Sequence, residues 1–76
     1  MDFVIKKGVD IKALIQVTYA LDEKDINNRE IRALLRASDV LKCHNLTVIT
    51  WNYSAITAYG ENTINFIPAW RWFLKL

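Results

Sequence analysis

The chain has 76 residues, a net charge of +2 and a single cysteine. That length holds one small domain and not two, and so mild a charge permits nucleic-acid binding without arguing for it. Lone Cys43 excludes an internal disulfide and a thiolate metal site, and suits a reducing, cytoplasmic setting. No apolar run approaches the roughly eighteen residues of a membrane span, and the start M-D-F-V-I-K-K lacks the basic-then-apolar order of a signal peptide. A domain this short buries only about 60% of its unfolded surface. Yet 53% of its residues are hydrophobic, with three Trp, three Tyr and three Phe. Either the core is dense or part of this apolar surface meets a partner.

Asp2–Lys6 is short and rich in Phe, Val and Ile, which predicts a strand. Lys7-Gly8-Val9-Asp10 reads as a turn. Ile11–Tyr19 alternates, with Ile11, Ala13, Ile15, Val17 and Tyr19 on one face and Lys12, Leu14, Gln16 and Thr18 on the other. Leu14 makes the second face partly apolar, as in an inner strand covered on both sides. This hairpin is expected at the centre of the sheet. Asp22–Asn28 is a polar loop. Asn27 with Glu30 three positions later forms an Asn version of the capping box.

Ile31, Leu34, Leu35, Ser38 and Leu41 then recur at helical spacing, with Ala33, Ala37 and Val40 widening the stripe. The helix is expected to end near Cys43, with His44 or, better, Asn45 in the left-handed position. Leu46–Trp51 is a β-branched run. A strand, helix, strand order implies a crossover that sets it parallel to Ile11–Tyr19. Ala55–Tyr59 alternates briefly before a turn at Gly60, and Thr63–Ile67 is a last strand. Pro68 suits the first position of a short helix, Ala69–Leu76. There Trp70, Phe73 and Leu74 share the face expected to cap the sheet, while Trp72 and Leu76 point elsewhere. The expected architecture is α/β: a small mixed sheet in β-β-α-β-(β)-β-α order.

D-F-V-I-K-K-G, L-I-Q-V-T-Y, R-E-I-R-A-L-L-R-A, V-I-T-W and I-P-A-W-R-W-F-L together resemble the C-terminal domain of archaeal AAA-type ATPases, a nuclease-like domain of the PD-(D/E)xK type. The resemblance runs over essentially all 76 residues. It implies a restriction-endonuclease-like core that lacks the N-terminal helix and strand of related domains, so that the chain looks like a partial or trimmed copy. The sequence has no Gly-rich phosphate-binding loop with which to bind ATP itself.

In the active pattern of that superfamily an Asp and a Glu hold a divalent ion and a Lys positions or activates water. By this resemblance Asp2 matches the Asp and is the one candidate metal ligand, while Gln16 stands at the Glu position and Thr18 at the Lys position. A neutral amide is a weak ligand for a hard cation, and Thr brings no cationic head. The expectation is therefore a vestigial site at Asp2, Gln16 and Thr18, no cofactor, and no catalysis. Mg²⁺ enters only if the domain is active, with a second carboxylate from Asp10, Asp22 or Glu23. Register bears on this: a three-residue loop pairing Lys7 with Ile11 sets Asp2 opposite Gln16, whereas a two-residue loop sets it opposite Ile15.

Arg29, Arg32 and Arg36 form a basic helix stripe, a candidate contact to DNA phosphates set against the commoner role of a solvated helix face. Self-association, most simply as a homodimer, is expected from a sheet face left open at Val4 and Leu14 or from the edge of the first strand. Docking to an ATPase or another partner protein is the alternative occupant. No membrane partner is expected.

Overall fold

The computed structural model describes residues 3–74. Five strands and two helices follow in the expected order: β1 (Phe3–Lys7), β2 (Asp10–Val17), α1 (Asn28–Leu41), β3 (Leu46–Thr50), β4 (Ala55–Tyr59), β5 (Asn62–Pro68) and α2 (Ala69–Leu74). The strands form one mixed sheet in the order β1-β2-β3-β5-β4. The middle three strands are parallel to one another, and each edge strand is antiparallel to its neighbour. The expected parallel pairing of β2 with β3 is present, but the centre of the sheet is β3 and not the β1–β2 hairpin.

Each hairpin turns through two residues, Gly8-Val9 and Gly60-Glu61. The glycines have φ of 65° and 64°, and neither following residue has positive φ. A positive φ at the first position only is the pattern of a II′ turn, which needs Gly there and matches the strands' twist. Lys7 therefore pairs with Asp10, and Lys6 with Ile11. A bulge follows: Lys12 has no partner, and the ladder resumes at Ile5 with Ala13, Val4 with Leu14 and Phe3 with Ile15. The bulge restores at Phe3 the register that a three-residue loop would have produced. It also moves Ile11 off the face of Ala13 and Ile15, so that Ile11 packs against the same core as Leu14.

That core lies under α1. Leu14, Leu46 and Ile64 stand side by side across β2, β3 and β5, with Val48 and Phe66 one step further on. Ile31 and Leu34 of α1 close over them together with Cys43. The helix stripe is narrower than its sequence suggests: Ala33 and Val40 are exposed. Asn27 caps α1 as expected, its Oδ1 accepting the Arg29 N–H at 2.8 Å. The reciprocal box forms instead on the short 3₁₀ turn Glu23–Asp25, where Asp22 is the cap and the Asp25 carboxylate accepts the Asp22 N–H.

The helix stops at Leu41, and Lys42, not His44 or Asn45, takes the left-handed conformation with φ 56°. The cause is the pull of the core on Cys43. Its N–H donates to the Ser38 carbonyl at 3.1 Å, and the buried Ser38 hydroxyl donates to the Cys43 carbonyl at 2.6 Å. The chain must therefore reverse one residue before Cys43. Pro68 likewise ends β5 opposite Thr50 rather than opening α2. Among the described residues no helix is long and apolar enough to cross a membrane.

Leu14 is 0% exposed, so it is core and does not belong to an open face as the sequence suggested. Leu14→Ala is expected to cost about 2–5 kcal/mol, read as a lowered urea midpoint at unchanged m-value.

Candidate functional site

Ile15, Val17 and Ile49 point away from α1, because they alternate with Leu14, Gln16 and Val48. They floor a groove of about 510 Å³. Ile5 on β1 forms one wall, and Ala69, Trp72 and Phe73 of α2 form the other. The spacing of these three, one turn apart on a helix, turns them together toward the sheet. Tyr19 and Trp51 stand at the rim. Among the described residues that line the groove none carries a charge; Thr18 and Thr50 are the hydroxyls in it besides the Tyr19 phenol.

The groove sits at the carboxyl ends of the parallel strands, where the chain past β2 runs on alongside β3. The Thr18 N–H donates to Ile49 at 2.8 Å, and the Trp51 and Asn52 N–H groups share the Ala20 carbonyl at 3.1 and 3.2 Å. Thr50 locks the next turn: its hydroxyl donates to the Tyr53 carbonyl at 2.6 Å and accepts the Tyr53 N–H at 2.8 Å. Tyr53 then meets Phe66 edge-on, with ring centroids 5.4 Å apart. Six residues are too few for a helix stable by itself. Helix α2 is tied to this loop by Trp70 Nε1 donating to Asn52 at 3.4 Å and by Arg71 donating to the Ser54 hydroxyl at 3.1 Å. The Arg71 guanidinium also lies 5.6 Å from the Trp70 ring centroid.

The roles expected along α2 thus change in part: Phe73 turns toward the sheet as expected, and Trp72, expected to point elsewhere, joins it there. Trp72 faces the sheet and is half-buried, whereas Trp70, Phe73 and Leu74 are more than half exposed. Leu76 lies outside the described residues.

Of the residues mapped by the family resemblance, Asp2 lies outside the described residues. Gln16 is buried on the α1 side beside Val48, and Thr18, one residue past the end of β2, borders the mouth of the groove. Asp10 closes the β1–β2 turn at the far end of β1 from Phe3. Asp22 is engaged in capping, its Oδ1 accepting the Lys24 N–H at 3.1 Å, and Glu23 sits in the same exposed turn. Among the described residues no three His, Cys, Asp or Glu side chains gather as they would around a metal ion. Arg29, Arg32 and Arg36 are all exposed along α1. His44 is exposed and shares a 2.9 Å hydrogen bond with Asn62.

No protein-family model, curated protein or solved structure matches the chain.

On the α1 side of β4, Tyr59 packs against the core, and its phenol is raised above the ordinary value of 10.0 by burial first and then by Tyr53 and Glu23. The folded state therefore holds this proton more tightly than the unfolded chain. The associated stability is fully present below pH 10.0 and is lost as pH rises through the higher folded value. An alkaline titration of the urea midpoint should fall in that range, and Tyr59→Phe should remove this component of the fall.

Proposed function

We propose that the chain is a catalytically inactive, nuclease-like interaction module that docks to an ATPase or another partner protein. The observation that carries this reading is the apolar groove between β2, β3 and α2. It offers hydrophobic area, two aromatic rings from α2 and no charged group among its described lining. Exposed apolar surface of this kind, with Phe73 67% exposed at its margin, is costly in water unless something covers it. The resemblance to the C-terminal domain of archaeal AAA-type ATPases supports the nuclease-like part, as a restriction-endonuclease-like core. The neutral side chains at Gln16 and Thr18 support the loss of catalysis, since neither can replace a carboxylate or an ammonium group at a metal ion.

Two measurements test this. Incubated with plasmid and single-stranded DNA in Mg²⁺ and then Mn²⁺, the protein should leave both intact. Cleavage that disappears in Asp2→Ala would identify a metal-dependent nuclease instead. An apolar fluorescent dye should bind the native protein, and Val17→Lys combined with Phe73→Lys should abolish that binding while leaving the far-ultraviolet circular dichroism unchanged.

A second reading, DNA binding without catalysis, is favoured by the α1 stripe. Among the described residues the one ion pair joins Lys24 to Asp22 at 3.9 Å, so the Arg29, Arg32 and Arg36 guanidiniums are not engaged by carboxylates. If they contact phosphates, the affinity for duplex DNA falls steeply with salt. Arg32→Ala with Arg36→Ala should then reduce the slope of log K against log salt by about 1.8. An unchanged slope rejects this reading.

A further inference from the structure

The two edges of the sheet are unlike. β1 carries Lys6 and Lys7 and lies against the bulge at Lys12, the devices that keep an edge from pairing with another chain. β4 has neither. Its five residues, Ala55-Ile56-Thr57-Ala58-Tyr59, include no charge, no proline and no bulge, and their ladder with β5 is regular. Ile56 is 76% exposed.

The hydrogen-bonding groups of β4 follow from its turn. Tyr59 and Asn62 flank a two-residue loop and form the first hydrogen-bonded pair, so Thr57 and Ala55 also bond to β5. Ile56 and Ala58 then direct their N–H and C=O groups away from the sheet. No turn, loop or side-chain hydrogen bond of the described residues engages them. Four backbone groups are therefore presented in a row, and an antiparallel strand is their natural complement.

We propose that β4 is the strand through which two copies of this chain pair, antiparallel about a two-fold axis at Thr57, to make one continuous ten-stranded sheet. The second copy is the occupant because the strand is complementary to itself in this register. Ile56 comes opposite the partner's Ala58, and Tyr59 opposite the partner's Ala55, so each large side chain meets a small one on its own face. Thr57 meets the partner's Thr57, a favourable cross-strand pair. The Ile56 and Ala58 backbones exchange four hydrogen bonds across the axis. No like charges meet, whereas any two-fold pairing of β1 would bring two lysines from each copy to the seam. The helices permit the approach. α2 lies over β3 and β5, and the two copies of β5 would be about 14 Å apart at the ordinary strand spacing. This inference does not rest on the groove or on the nuclease-like reading.

The first test is the mass of the 76-residue chain by light scattering after size exclusion, from low micromolar concentration upward. Twice 8.9 kDa is expected. Ile56→Lys should return the mass to 8.9 kDa with the fold intact, because this side chain is already exposed. Ala58→Pro, which removes an outward N–H and no bond to β5, should do the same if Ile56→Lys fails to fold. Val4→Lys on the other edge should leave the dimer in place. The register is tested by Thr57→Cys. The facing α-carbons would be about 4.5 Å apart, within reach of a disulfide, and Cys43 is too buried to compete. Oxidised glutathione should then yield a covalent dimer from Thr57→Cys and not from Val4→Cys. A monomer at every concentration overturns the proposal. So does a dimer that survives both β4 variants, or one that Thr57→Cys cannot cross-link.

Discussion

The structure depends on β3 being buried on both faces. All five of its residues are buried, and among the described strands it is the one with parallel neighbours on either side. Leu46 and Val48 face α1, and Thr47 and Ile49 face the other way. A strand in that position satisfies every backbone group through its neighbours and takes apolar contacts above and below. The rest of the chain is arranged to supply those contacts. α1 supplies one layer in full. Among the described residues α2 packs over β3 and β5 on the other face, and its Trp72 and Phe73 stand across the groove from Ile5, Ile15 and Val17.

The bulge at Lys12 is the second constraint. Without it, the II′ turn at Gly8-Val9 would set Val4 against Ala13 and reverse which face of β1 meets the groove. With it, Val4 lies beside Leu14 and Ile5 beside Ala13, so that Ile5 closes the groove wall. One unpaired residue therefore reconciles a tight turn with the apolar pattern of β2. It also lets Ile11, on the wrong parity by simple alternation, join the core under α1.

Much of this was legible in the sequence, where local chemistry and tertiary need agree. The β-branched run of β3, the Asn27 cap, the Ile31, Leu34 and Ser38 spacing and the strand at Ala55–Tyr59 all specify their elements directly. The helix end is not legible, because Asn45 is the better left-handed residue by itself and only the burial of Cys43 forces Lys42 into that role. The burial of Leu14 is not legible either, because alternation does not say which side a crossover helix will take. The groove was hidden for the same reason, and also because a bulge leaves no mark in a pattern of alternating residues when the extra residue is a lysine. The family resemblance points to Asp2, Gln16 and Thr18, of which Gln16 is buried against the core under α1 and Thr18 borders the groove mouth past the end of β2.

The groove and the β4 edge occupy different parts of the sheet and do not compete. The groove floor lies on β2 and β3, whereas β4 is separated from β3 by β5. A two-fold pair joined at β4 keeps like faces on the same side, because residues opposite each other in an antiparallel ladder point the same way. Both grooves of the dimer would then open on one face. Counting from β2 of one copy to β2 of the other gives seven strand spacings, about 34 Å along the sheet before twist shortens it. Two apolar sites held at that distance favour a partner that presents its own docking segment twice. Once one segment is seated, the second binds at the high effective concentration set by the first, so a weak single groove suffices for a durable assembly. The uncharged β4 edge offers a way for the same short chain to bind as a pair.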